Sequence, residues 1–121
     1  LDIPVDVVGC PIVREPDGLA LSSRNRYLSA EERARALGIV RGLRAAYDAW
    51  ERGERDPESL RNAAVELVDA SFDRVDYVAA VDAESLQPSG AAAGRLLIAV
   101  AAHLGSTRLI DNVVLGEDPR P

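Results

Sequence analysis

Ser22, Ser23, Arg24 and Arg26 fall in a run with no acid between Leu19 and Leu28. The chain around them is acidic, with 20 Asp and Glu against 14 basic residues and a net charge of −6. Serine hydroxyls donate single hydrogen bonds, and a guanidinium offers a planar fork to phosphate or carboxylate. The grouping therefore suits an anion with several oxygens. Pro16-Asp17-Gly18 just ahead of it is a turn signal, and Ser29 just after it opens a helix. A polar surface loop whose arginines pair with nearby acids is the other reading, and residue chemistry alone leaves both open.

Other polar residues are weighed against the same question. Arg14 and Arg26 either add positive potential to that site or form surface ion pairs with Glu15, Asp17 or Glu31. Asp111 and Asn112 form a polar pair inside an apolar run and read as structural, because these side chains satisfy local backbone groups. His103 is the only histidine. With no second His or Cys near it in sequence, it reads as a surface or packed residue and not a metal ligand. Asp82 and Glu84 are close enough to suggest a metal, but their surroundings read as a strand-end turn, so no metal ligand is assigned. Cys10 is the single cysteine. It excludes an internal disulfide or a cysteine-based metal cluster.

The elements that must position these groups are marked along the chain. Ile3 to Val8 is β-branched and reads as a strand, with Pro4 at its entry. Ser29-Ala30-Glu31-Glu32 is a capping box. Leu37, Val40, Leu43, Tyr47 and Trp50 then recur at three- and four-residue intervals, and Gly53 stops the helix. Trp50 and Tyr47 read as core. Asp56-Pro57 opens a second helix, with Leu60, Ala64, Leu67 and Val68 on its buried side. Val75, Tyr77, Ala79 and Val81 alternate with Asp76, Val78, Ala80 and Asp82, the pattern of a half-buried strand. Ser85 to Gly94 reads as a loop. Leu96 to Ala102 reads as a central strand, Gly105-Ser106 as a tight reversal, and Thr107 to Leu115 as its antiparallel partner. Gly116 to Pro121 reads as a loose tail. The expected fold class is α+β: two helices packed on a small, mainly antiparallel sheet of about three strands.

Composition narrows the function classes. The chain has 121 residues, within the single-domain range, and 47% hydrophobic content argues against disorder. Its negative charge and scattered arginines disfavour nucleic acid as a partner. No apolar run approaches the ~18 residues that span a bilayer, so no membrane partner is expected and the cytoplasm is the default location. All 14 basic residues are Arg, which hints at a GC-rich bacterial genome. There is no Met, no Lys and no second His. A paired-His nucleotide site cannot be built here, and the chain reads as a piece of a longer protein.

The run from Val8 to Leu28 resembles the signature segment of the pantothenate synthetase (pantoate–β-alanine ligase) family nearly residue for residue. Gly94 to Ala102 and Thr107 to Asn112 are also similar to it. Leu21 stands where the family usually has Met, a volume-similar apolar swap. The resemblance implies an ATP- and Mg²⁺-dependent ligase of pantothenate biosynthesis, in the coenzyme A pathway. It joins pantoate to β-alanine through a pantoyl-adenylate, and the family's N-terminal domain carries a His-x-Gly-His motif. Residues 1–18 would be the end of that N-terminal Rossmann-like domain and a linker. Residues 19–121 would be the C-terminal nucleotide-closing domain of an adenylate-forming, nucleotidyltransferase-like enzyme. It also implies that Ser22, Ser23 and Arg24 bind ATP phosphates and stabilise charge on the α-phosphoryl group, and that the main chain of Val13 and Leu21 meets the adenine. Mg²⁺ would be bound through ATP and the N-terminal domain, and the full enzyme would be a homodimer through that domain. The chain alone is expected to be inactive. The alternative is a stand-alone α+β interaction or self-association module.

Overall fold

Ser29 and Glu32 start the main helix reciprocally. The Ser29 Oγ accepts from the Glu32 amide at 3.1 Å, and the Glu32 carboxylate accepts from the Ser29 amide at 3.0 Å. Two orphan amides are satisfied at once, and helix α1 runs over Ala30–Glu51. The structure, a computed structural model, describes residues 14–20, 23–82, 96–116 and 121. The expected strand at 3–8, Cys10 and the expected loop at 85–94 lie outside the described residues. Helix α2 spans Pro57–Ser71, with Asp56 as its cap and Pro57 in the first turn, as the sequence leads one to expect. The two helices approach closely at Gly42, where an added Cβ would lie 2.9 Å from the Ala64 carbonyl oxygen.

Three strands follow, β1 (Arg74–Asp82), β2 (Leu96–Leu104) and β3 (Thr107–Leu115). They form one antiparallel sheet in the order β1-β2-β3. The long apolar run is the central strand, as its hydrophobicity demands. Helices α1 and α2 cover one face, where Ile39, Leu43, Leu60 and Val68 pack against Val78, Leu96, Ile98, Val100, Leu104, Val113 and Leu115. The other face carries a smaller buried cluster of Ala79, Val81, Leu97, Ala99 and Val114.

Three local readings differ from the structure. Leu67, read as part of the buried side of α2, is exposed, at the edge of the face formed by Leu60, Ala64 and Val68. The register of β1 on β2 shifts between Val75 and Tyr77, leaving Asp76 as an extra residue. A bulge of this kind reverses which residues face the core. Val75, Val78 and Ala80 consequently join the helix-side cluster, while Tyr77 joins the other. The strict alternation read from the sequence does not survive this inserted residue. The tail is also anchored at its end: Pro121 is buried, and Arg44 Nε donates to its carbonyl at 2.7 Å. Trp50 is core, as expected, and the Arg55 guanidinium lies 3.8 Å from its ring centroid.

Candidate functional site

The segment leading into the Ser-Ser-Arg run is a small hairpin laid on the domain. Arg14 and Ala20 form an antiparallel bridge, and the Gly18 amide donates to the Glu15 carbonyl at 2.8 Å to close the turn. Gly18 has a φ of +96°, and a Cβ there would lie 2.7 Å from Arg44 Nη2 and 3.2 Å from Val40 Cγ1. Only glycine permits both this backbone and this approach to α1. Leu19 is buried in the core beside it.

Arg14 ties the hairpin to β3. Its guanidinium donates to both Asp111 carboxylate oxygens, at 2.6 and 2.9 Å, and also to the carbonyls of Gly18 and Asn112. The Asp111 side chain is completely buried. Burial pushes its carboxyl above the ordinary range, against the pull of Arg14 and of the Asn112 amide. The two parallel contacts are the fork geometry by which arginine holds a carboxylate. Asp111 is thus structural, as read, but its main partner is Arg14 and not only local backbone. Arg14 correspondingly pairs with none of Glu15, Asp17 or Glu31 among its described contacts; Arg33 takes Glu15 at 3.2 Å and Asp17 at 3.0 Å. Asp17 is held below the usual carboxylate range by the Leu19 amide and by Arg33.

Beyond the hairpin, Ser23–Tyr27 form a 3-10 turn that leads directly to the cap of α1. Asn25 is its buried member. Its Nδ2 donates to Glu15 Oε2 at 2.5 Å and to the Ala20 carbonyl at 2.9 Å. Its own carbonyl receives the Leu28 amide at 3.1 Å. Of the residues singled out from sequence, Ser23 and Arg24 open this 3-10 turn, between Ala20 and Asn25. Val13, Leu21 and Ser22 lie outside the described residues. Arg26 is exposed, 5.0 Å from the centroid of the Tyr27 ring, with its Nη2 on the Tyr27 hydroxyl at 3.0 Å. A surface groove beside the turn is lined by Tyr27, Ser106, Thr107 and Arg108, joining this segment to the β2–β3 reversal.

A second polar cluster crosses the sheet. Asp76 Oδ2 lies 2.8 Å from His103 Nε2 and accepts from Arg108 Nε at 2.9 Å. Arg108 and His103 hold the Asp76 carboxyl below its usual range. Asp73 is likewise lowered, by the Gly105 amide and by Arg35. Asp82 ends β1, and Glu84 lies outside the described residues. Among the described residues, no group of three or more His, Cys, Asp or Glu is placed to hold a metal, and no helix is long and apolar enough to cross a membrane. Sequence reasoning did not single out Asn25, Glu15 or Arg33. The available signal was the one amide side chain within the Ser-Arg run, which needed a burial value to stand out.

The family profile described as pantoate-beta-alanine ligase matches residues 1–114. The chain belongs to the pantoate–β-alanine ligase family. A pantothenate synthetase of Magnetococcus marinus is 49% identical over 122 residues, covering 100% of this chain and 42% of that protein. One from Acidobacterium capsulatum is 52% identical, covering 98% of this chain and 40% of its own length. The crystal structure of pantothenate synthetase from Thermus thermophilus superposes with a TM-score of 0.79 at 40% identity, over 88% of this chain and 38% of that one. The chain therefore spans about two-fifths of the length of these pantoate–β-alanine ligase relatives. The expected α+β architecture agrees with this likeness: two helices and a three-stranded antiparallel sheet.

Proposed function

We propose that this chain is the C-terminal, nucleotide-closing part of an ATP-dependent ligase that condenses pantoate with β-alanine. In this reading residues 1–18 end the N-terminal domain and 19–121 form the closing domain. The observation that carries it is the family membership of a chain whose Ser22-Ser23-Arg24 run is flanked by core-anchored residues on both sides. Two hydroxyls and a guanidinium, with no acid in the run, fit the oxygens of a triphosphate.

The chemistry assigned is adenylation followed by amide formation. The pantoate carboxylate attacks the α-phosphorus of ATP and pyrophosphate leaves. The β-alanine amine then attacks the acyl carbon and AMP leaves. Ser22, Ser23 and Arg24 bind the phosphates and stabilise the charge that builds on the α-phosphoryl oxygens; donors aimed at developing charge are usually the largest catalytic term. The main chain of Val13 and Leu21 supplies one donor and one acceptor to adenine. Mg²⁺ would arrive on ATP oxygens and on acids outside this chain, so no residue here is assigned to it. The remaining parts of this reading are a cytoplasmic homodimer through the N-terminal domain and no activity from this chain alone.

Single-turnover release of pyrophosphate by the full-length ligase tests the central claim. Arg24→Ala is expected to slow adenylate formation on the order of 10²–10³-fold with little loss of stability. Arg24→Lys should recover only part, because a point charge replaces a fork. Ser22→Ala and Ser23→Ala should act in the same direction but more weakly. Normal adenylate formation by Arg24→Ala with unchanged stability would leave the loop as a helix entry and move the chemistry wholly into the N-terminal domain.

A further inference from the structure

We infer that Asn25 is a positioning residue for adenylate formation: its side-chain amide fixes the distance between the two ends of the 21–24 segment. The amide nitrogen has two hydrogens, and both are committed. One goes to the carbonyl of Ala20, the residue just before the segment, at 2.9 Å; the other goes to Glu15 Oε2 at 2.5 Å. Asn25 is itself the residue just after the segment. One side chain therefore ties together the two residues that flank positions 21 to 24.

This tie is rigid because each partner is held elsewhere. Glu15 is paired with Arg33 of α1 at 3.2 Å. Ala20 is bridged to Arg14, whose guanidinium is forked onto buried Asp111 of β3. The clamp is thus referenced to both the helix and the sheet. Stability alone is a poor reason for this residue. Its Oδ1 is buried with no hydrogen-bond partner, and an orphaned buried acceptor is destabilising. An amide is nevertheless the one small side chain that can give two hydrogens at once to a carbonyl and a carboxylate.

Asn25 acts here through Ser22, Ser23 and Arg24, so its role rests on the one proposed for them. In the full-length ligase, Asn25→Ala is expected to slow adenylate formation about 10²-fold, the cost typical of a misplaced catalytic group. Amide formation from supplied pantoyl-adenylate and β-alanine should stay near wild type, a split that general loss of structure would not produce. A paired exchange, Asn25→Asp with Glu15→Gln, separates positioning from packing. It reverses the 15–25 hydrogen bond and keeps the volume, but it leaves the Ala20 carbonyl without its donor. The exchange should keep the fold but regain only part of the stability, because a carboxylate oxygen then faces the Ala20 carbonyl and Arg33 loses its charged partner, and adenylate formation should stay slow. Recovery of adenylate formation by the exchange, or equal slowing of both steps in Asn25→Ala, overturns the assignment. Should Asn25→Ala fail to fold, the exchange variant alone decides. Arg24→Ala is run alongside. If it is slow and both Asn25 variants are not, Asn25 is no positioning residue and the loop's role stands. If Arg24→Ala is normal, the loop's role and that of Asn25 fall together.

Discussion

Arg14 and Asp111 lie 97 positions apart and meet as a forked ion pair with the carboxylate fully buried. Removing one member of such a pair leaves an uncompensated charge, whereas removing both leaves an apolar contact. Asp111→Ala is therefore expected to lower unfolding free energy by about 3 kcal/mol, read from urea denaturation. Adding Arg14→Met should return much of that loss. A single variant as stable as the wild type would mean that Arg14 is satisfied by the Gly18 and Asn112 carbonyls alone. At this scale the sequence was half legible. An Asp inside an apolar strand announces a structural need, and that reading holds. Which cation answers it was not legible, because a fold contact across the whole chain leaves no local spacing. Asn25 was obscured for a related reason: beside arginines and serines it looks like one more solvated polar group, and only its burial separates it.

Elements are where local chemistry decides, and most of them were readable. The capping box at Ser29, the Asp56-Pro57 start and the Gly105 reversal are each set within about four residues of sequence. The bulge at Asp76 was not, since an alternating pattern looks the same until its partner strand fixes the count. Gly42 shows the same limit from the other side. In sequence it is a weak point in a helix; in the structure it is, with Gly38, a point of close approach to α2, its added Cβ falling 2.9 Å from the Ala64 carbonyl oxygen. Gly42→Val should gain helix propensity yet destabilise the domain by about 1–3 kcal/mol through overpacking. A thermal melt of the variant checks this. A raised midpoint would mean that α1 and α2 can separate without cost, and the helix pair would not be the rigid base assumed for the segment before it.

At the scale of the whole molecule, and among the described residues, Asp17, Asp73 and Asp76 each tie elements together and, unlike the buried Asp111, are held below the ordinary aspartate range. Asp17 joins the hairpin to α1 through Arg33. Asp73 joins the start of β1 to α1 through Arg35 and to the β2–β3 reversal through the Gly105 amide. Asp76 joins β1 to β2 and β3 through His103 and Arg108. A carboxyl whose folded value is lowered binds its proton less readily when folded than when unfolded. Its contribution is complete above the unfolded value, near the reference 3.8, and disappears as pH falls through the folded one. The domain should therefore hold its stability from neutral pH down to about pH 4 as far as these groups decide it, then lose their modest contribution as pH falls further. Asp76→Asn tests the sign directly. It removes a charged tie at pH 6 but mimics the protonated group that the wild type already carries in strong acid. The variant should melt below the wild type at pH 6, and the gap should narrow as both are titrated toward pH 2. Added salt should narrow it too, because the ties are solvent-screened. A gap that is constant from pH 6 to pH 2 would show that Asp76 matters through the shape of the bulge and not through its charge.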